Sequence, residues 1–451
     1  MKHAAVVLLS LLAAACGSGG DSSSGDPDAG SPADPDAGAP QPGTEYIFDL
    51  DQLHEFEVEV ADADWRWLQD NALLEEYVPA TVIFEGVRYD DAAIRFKGAY
   101  GTLVSCFDES GERICPKLSV KVSFNEYGKG RFFGLRKLIF NSSIRDASMM
   151  HEVISYGLYR DMGVVAPRAT HAKLTVNGEY LGMFTLVENI DKELIEDHFA
   201  ADTGNLYKSV WPLYSDAAPY IEALRTNEDA PDVSRMIAFH AAIEGATDET
   251  FTANMSSTLD LDALARYLAV DRAISNDDGI KALYCYGAGS TACTNSNYYW
   301  YEDPQGAIQL IPWDLDYSLG DINTDLGRSY ADPNPNDCAP VPFCEFWELD
   351  PCPADAADVF LLPPQCDDLY GKLHRATWDS TVAVLAELAA GPLSRDVIVP
   401  RVDAIREKIR DAVVADPNGP GQGEFDAHNA WLDEVLEQQL AAIEALVAEQ
   451  R

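Results

Sequence analysis

The apolar residues of this 451-residue chain change their spacing from one end to the other, and that change restricts what it can fold into. In the first half they alternate. Residues 55–60 alternate as a strand, 61–69 reads as a short helix, and 80–97 reads as paired strands about a Glu85-Gly86 turn. Residues 117–124 are the cleanest strand: Leu118, Val120, Val122 and Phe124 share one face, and Lys117, Ser119, Lys121 and Ser123 the other. Met150, Val153, Ile154, Gly157 and Leu158 then fall at helical spacing over about 146–161, with Asp146 as cap and Gly163 and Pro167 as terminators. Strands at 172–176 and 180–188 flank Asn177-Gly178, the strongest short hairpin signal a sequence offers. Short strands return at 298–301 and 307–312 around a turn at 303–306. Helical spacing governs 191–199, 259–275 and about 367–450, where the final amphipathic helix begins near Ala427. Strands first and helices later predict an α+β, two-lobe arrangement with a helical C-terminal region.

The N-terminus carries a different signal. Lys2 and His3 precede an apolar run over 4–15, too short for a membrane span, which needs about 20 residues. It reads as a signal peptide. Small residues lead into Cys16-Gly17, as in a bacterial lipobox, so residues 1–16 read as a lipoprotein signal with Cys16 as the lipidated residue. Without an aspartate after the cysteine, an outer-membrane or cell-surface destination fits, with the periplasm as the other address. Residues 17–43 are Gly, Ser, Asp, Pro and Ala, with Asp-Pro-Asp-Ala-Gly at 26–30 and 34–38. Such a segment buries too little apolar surface to offset its ordering entropy and reads as a disordered linker. The folded unit is then 44–451, with insertions at about 210–255 and 328–366.

Eight cysteines follow Cys16. An even count in an exported chain points to disulfides. Cys106 with Cys115 and Cys285 with Cys293 read as local loops, while Cys338, Cys344, Cys352 and Cys366 allow three pairings. No Cys-x-x-Cys pair supports zinc. With 75 acidic against 32 basic residues, net −43, nucleic acid is an unsuited partner and a basic protein a suited one.

Several blocks, in order over roughly 50–320, resemble the CotH (spore coat protein H) kinase-like family. They are Pro116-Lys117-Leu118-Ser119-Val120-Lys121, Asn177-Gly178-Glu179-Tyr180-Leu181-Gly182, Leu186-Val187-Glu188-Asn189-Ile190-Asp191, Gly204-Asn205-Leu206-Tyr207-Lys208, Asn276-Asp277-Asp278-Gly279, Asn297-Tyr298-Tyr299-Trp300-Tyr301 and Ile311-Pro312-Trp313-Asp314-Leu315-Asp316. The resemblance implies a divergent protein-kinase-like fold, and with it ATP, Mg²⁺ or Mn²⁺, and a protein substrate. One departure stands out. The family's Arg-x-x-Gly-Asn-Ser-Ser is here Arg95-Phe96-Lys97-Gly98-Ala99-Tyr100-Gly101-Thr102, which keeps the arginine and glycines but loses Asn-Ser-Ser.

Phosphoryl transfer needs a cation on the phosphates, carboxylates holding metal, and a group orienting the acceptor hydroxyl. The resemblance implies Asp278, beside Asp277, as the acceptor-orienting residue and Asn297 as a metal ligand, although a Gly-rich loop closed by Cys285 and Cys293 separates them. Asp314 and Asp316, at i and i+2 after an apolar strand, suit a hard cation on their own chemistry. Arg95 and Lys121, with Lys117 as the other candidate lysine, would meet phosphate; Glu152 would anchor that lysine; Glu188 would pair with a lysine or bind nucleotide. Each has a plainer reading: edge-strand lysines that deter aggregation, a solvated Glu152, a structural ion pair at Glu188, a simple turn at Asp277-Asp278-Gly279. The expected function is an extracytoplasmic protein kinase acting on Ser or Thr. The alternatives are a non-catalytic surface binding or scaffold protein on a degenerate kinase-like fold, and transfer of AMP from the same nucleotide.

Overall fold

A computed structural model describes residues 43–99, 101–287, 293–320, 338–346, 352 and 356–450. Cys16 and the expected signal and linker, apart from residue 43, lie outside the described residues.

The first half closes into a seven-stranded barrel. Its elements are β1 (His54–Val60), α1 (Asp62–Asp70), β2 (Val78–Phe84), β3 (Val87–Phe96), β4 (Val120–Ser123), β5 (Lys137–Asn141), α2 (His151–Asp161), β6 (Ala169–Val176) and β7 (Glu179–Glu188). The strand order is β1-β2-β3-β4-β5-β7-β6, and a parallel pairing of β1 with β6 closes it. Asn177 and Gly178 join β6 to β7 at φ 50° and 78°, the pair of positive angles that the favoured two-residue hairpin turn demands. Alternation along β1 sends Phe56 and Val58 inward, where Phe84, Phe132 and Phe140 meet Phe56 with ring centroids 4.8, 5.7 and 5.2 Å away. Each such ring contributes about 1.5–3 kcal/mol through burial.

The outer face of β5, β6 and β7 is covered too. Ile139, Ala169 and Val187 belong to a second core with Ile154 and Tyr156 of α2. The expected helix at 146–161 begins at His151, and Asp146 accepts the His151 N–H at 2.8 Å from ahead of it.

The second half is built around that core. It contains α3 (Lys192–His198), β8 (Asn205–Lys208), α4 (Ala218–Ala223), α5 (Ser234–Glu244), α6 (Asp248–Met255), α7 (Leu261–Ala273), β9 (Leu283–Tyr286), β10 (Cys293–Thr294), β11 (Tyr298–Glu302), β12 (Ile308–Pro312), β13 (Val341–Pro342), β14 (Val359–Leu362), α8 (Asp368–Ala390), α9 (Arg395–Val414) and α10 (Gly421–Glu449). Strands β12-β11-β8 form one small sheet and β10-β9-β14-β13 another. Disulfides join Cys106 to Cys115, Cys285 to Cys293, Cys338 to Cys366 and Cys344 to Cys352, which selects one of the three open pairings. α8 packs on α7 and α10. The final helix starts at Gly421, ahead of the expected Ala427. The outcome is α+β: a barrel, then a largely helical body.

Candidate functional site

The site lies where the outer barrel face meets the second half. α7 ends at Ala273, and the chain turns back on it: Asp271 accepts the Asn276 side-chain amide at 2.8 Å and the Tyr159 hydroxyl at 3.0 Å. Gly279 leaves room for this contact, because a Cβ there would stand 2.3 Å from Asn276 Nδ2 and displace the amide. This turn sets the two aspartates on different tasks. Asp277 is buried against Lys281 at 2.9 Å, a structural pair. Asp278 is part-exposed. Asn297 Nδ2 donates at 2.8 Å to its Oδ2 and at 2.8 Å to its main-chain carbonyl, and the Tyr284 hydroxyl donates to its Oδ1 at 2.5 Å. Burial, helped by the nearby Asp314 charge, pushes the Asp278 carboxyl up to about 6 against those hydrogen bonds. Asp278 and Asn297 are thus in side-chain contact although the insertion separates them in sequence.

β12 leads into Trp313, Asp314 and Asp316. The Trp313 N–H donates to the Asn297 carbonyl at 3.1 Å, and the Asp314 N–H donates to the Tyr156 hydroxyl at 3.0 Å. Two of the three expected metal-binding positions adopt the left-handed region, Asn297 at φ 64° and Asp314 at φ 56°. Asp314 therefore does not continue the extended strand, and the simple i, i+2 argument for one face does not apply. The carboxylates nonetheless sense each other. Burial, then the charges of Asp314, Glu152 and Asp278, push Asp316 well above the usual range.

From the barrel side come Lys97, Asn141 and Glu152. The Lys97 ammonium donates to Asn141 Oδ1 at 2.9 Å and lies 5.5 Å from the Trp313 ring centre. Asn141 Nδ2 in turn donates to both Glu152 oxygens, at 2.8 and 2.9 Å. Burial first, and the Asp314 charge second, push Glu152 up to about 8. So Glu152 is not a solvated helix-face carboxylate; it is linked through Asn141 to Lys97, a lysine other than the two expected.

Lys117 is not at the site. It is buried, ion-paired with the buried Asp416 at 2.7 Å, and hydrogen-bonded to the Met183 carbonyl. The alternation at 117–124 separates two faces correctly, but at Lys117 the second faces protein rather than water, because Asp416, between α9 and α10, packs on it. Lys121 sits opposite Arg95 in the β3–β4 register, on the outer face and part-exposed. Arg95 meets the Glu75 carboxylate at 2.8 Å, and the same Glu75 oxygen accepts the Gly98 N–H at 3.1 Å. The glycine segment thus offers this N–H to a side chain where phosphate was expected. Glu188 is buried and held by the Arg168 guanidinium, with Arg168 Nε 2.9 Å and the Arg168 N–H 3.0 Å from its Oε2. It is a structural ion pair. Sequence reasoning missed Lys97 and Lys208. Lys208 is part-buried at the end of β8; burial lowers its pKa, while Asp314 attracts its charge and Arg225 and Arg95 repel it. The signal for Lys97 was its place two residues after Arg95, on the same face and next to a glycine.

Among the described residues no three His, Cys, Asp or Glu side chains converge into a ready metal cage. Mg²⁺ does not need one, since it commonly takes one or two carboxylates together with substrate phosphates. Asp314 lies within electrostatic reach of Glu152, Asp278 and Asp316, and burial together with this charge pushes those three carboxyls toward neutrality.

Comparison with known proteins bears on this site. The family model described as CotH kinase protein matches residues 94–350. The chain is 25% identical over 280 residues to inner spore coat protein H of Bacillus subtilis, covering 59% of this chain and 68% of that protein. Among solved structures, the Helicobacter pylori proinflammatory kinase CtkA is similar at a TM-score of 0.30 and 10% identity, over 74% of this chain and 94% of that one. The Shewanella oneidensis HipA–HipB–operator DNA complex gives 0.28 and 11%, over 68% and 57%. Superpositions this loose carry no weight on chemistry.

Proposed function

The chain belongs to the CotH kinase protein family, and from that membership we propose that it is an extracytoplasmic protein kinase, transferring the γ-phosphate of ATP to Ser or Thr of a surface or secreted protein. The observation that carries the reading is the contact of Asp278 with Asn297, within electrostatic reach of Asp314 and opposite the Lys97–Asn141–Glu152 relay.

Lys97, Lys208, Lys121 and Arg95 would meet the nucleotide phosphates. Asn297, Asp314 and Asp316 would hold Mg²⁺ or Mn²⁺, which neutralises charge on the bridging phosphates. Asp278 orients the acceptor hydroxyl and takes its proton as the new oxygen–phosphorus bond forms and ADP leaves. Asn297 keeps the Asp278 carboxylate in one orientation. Lys117, Glu188 and Asp277 hold the scaffold.

Lipidation at Cys16 would place this domain outside the cytoplasmic membrane, on the outer membrane, the cell surface or in the periplasm. The net charge of −43 favours a basic protein substrate. A second reading, a surface binding protein on a degenerate kinase-like fold, draws on one observation: Glu75 already occupies Arg95 and the Gly98 N–H.

Thermal denaturation with ATP separates the two. A ligand that binds only the folded state raises the melting temperature. A rise that requires Mg²⁺ or Mn²⁺ and disappears in Asp314→Ala is the expected result. No rise at millimolar ATP with either ion would overturn the kinase reading in favour of the binding protein.

A further inference from the structure

The stretch between Asp278 and Asn297 ought, in a phosphoryl-transfer site, to fold away from the chemistry. Its described strands, β9 and β10, instead lie against it. β9 and β10 form a short hairpin closed by the Cys285–Cys293 disulfide, with Tyr284 paired to Thr294 on one side. On the other side β14 pairs with β9, setting Leu361 opposite Tyr284 and Phe360 opposite Cys285. β13 and β14 are bracketed by the Cys338–Cys366 disulfide, and the Tyr284 ring meets Phe343 with centroids 6.0 Å apart. From this braced position the Tyr284 hydroxyl donates to Asp278 Oδ1 at 2.5 Å, while Asn297 donates to Oδ2 at 2.8 Å.

We propose that Tyr284 is a positioning residue for Asp278, and that the disulfide-bonded sheet β10-β9-β14-β13 exists to hold it there. This rests on the kinase reading given above. A carboxylate has about four lone-pair sites, so Oδ1 can accept from Tyr284 and from an incoming hydroxyl together. The Tyr284 and Asn297 donors fix the carboxylate from both ends. Rotation about χ2 would break both bonds, so the acceptor meets one carboxylate orientation. Hydrogen-bonding partners behind a reacting group are commonly worth about 10- to 100-fold in activity. Asn297, the other donor, lies just beyond the hairpin and is fastened through Trp313 to the segment carrying Asp314. Both supports of Asp278 therefore come from the β9–β10 pair or directly follow it.

The test uses the full chain, MgATP and a lysine-rich peptide containing Ser and Thr. Tyr284→Phe keeps the ring and removes only the hydroxyl. The expected result is a fall in kcat of about 10- to 100-fold, with the KM for ATP and the ATP-induced melting shift unchanged. In an Asp278→Asn background the same substitution costs nothing further, because the group it positions is gone. Cys285→Ala with Cys293→Ala gives a fall in kcat of the same kind. Wild-type kcat in Tyr284→Phe overturns the inference while leaving the kinase reading intact, as does an equal loss in both backgrounds. A wild-type protein that binds no MgATP and transfers no phosphate overturns both.

Discussion

Asn297 and Asp278 lie 19 positions apart, yet a single side-chain amide of Asn297 bonds both the carboxylate and the main-chain carbonyl of Asp278 at 2.8 Å. This ties the segment entering β11 to the turn that ends α7, and it holds Asn297 in a left-handed conformation at φ 64°. The pair makes the first prediction. Asp278→Asn lowers phosphate transfer by about 100- to 10,000-fold, the range of a lost general base. It leaves the ATP-dependent melting shift in place, because Asp278 touches the acceptor rather than the nucleotide. Steady-state rates and melting curves on the same preparation check it; loss of the shift would show Asp278 to be a binding or structural residue.

Lys97 and Lys117 are predicted to fail in different ways. Lys117 is ion-paired with Asp416, both side chains nearly inaccessible at 6% and 0%. Lys117→Met strands a buried carboxylate and costs about 3–5 kcal/mol of stability. Lys97→Met removes a charge from the cleft and abolishes transfer, with much less loss of stability. Urea unfolding beside ATP-binding assays separates them. A Lys117→Met protein that is stable but blind to ATP would reverse the assignment.

Much of the fold was legible in the sequence, because alternation and helical spacing follow directly from which faces are buried. The 177–178 hairpin, most strands of the first half and the C-terminal helices were readable in that way, whereas β5 (Lys137–Asn141), buried along its whole length, gave no alternation to read. The site was less so. Alternation at 117–124 shows that two faces differ, but not that the polar one is closed off at Lys117, and nothing in it points to Lys97. The left-handed Asp314 broke an argument from extended geometry. Glu188 was readable as buried and in need of a partner, but nothing local pointed to Arg168. The tie between Asp278 and Tyr284 depends on a sheet whose strands come from 283–294 and 341–362, a long-range pairing that no short motif encodes.

Glu75 holds Arg95 and the Gly98 N–H through one oxygen, at 2.8 and 3.1 Å. An incoming phosphate competes for the same two donors. Glu75→Gln keeps the shape and removes the charge, so ATP binds more tightly, with the gain largest at low salt where the competing ion pair is strongest. Calorimetric titration with MgATP at two ionic strengths measures it. Unchanged affinity would mean that phosphate does not use the Arg95 cradle, and would strengthen the binding-protein reading.

Glu152 makes stability depend on pH in a defined window. Its carboxyl is raised from 4.5 to about 8, with burial as the main cause and the Asp314 charge next. Between those values the folded chain keeps a proton that the unfolded chain has released. Stability from this group is therefore greatest below about pH 4.5 and declines as pH rises toward 8, by roughly 1.4 kcal/mol per unit. Asp278 and Asp316 are raised as well and add declines of the same sign. Glu152→Gln isolates one contribution. It retains a hydrogen-bonding group for Asn141 but cannot ionise, so the difference between variant and wild type should grow in the variant's favour from pH 5 to pH 8. Urea unfolding at intervals across that range, without nucleotide or divalent ions, gives the two slopes. Parallel slopes would mean that Glu152 is ionised in the folded protein, its charge balanced by Lys97 through Asn141. The acidic cluster would then be pre-charged for a cation rather than waiting on one to release its proton.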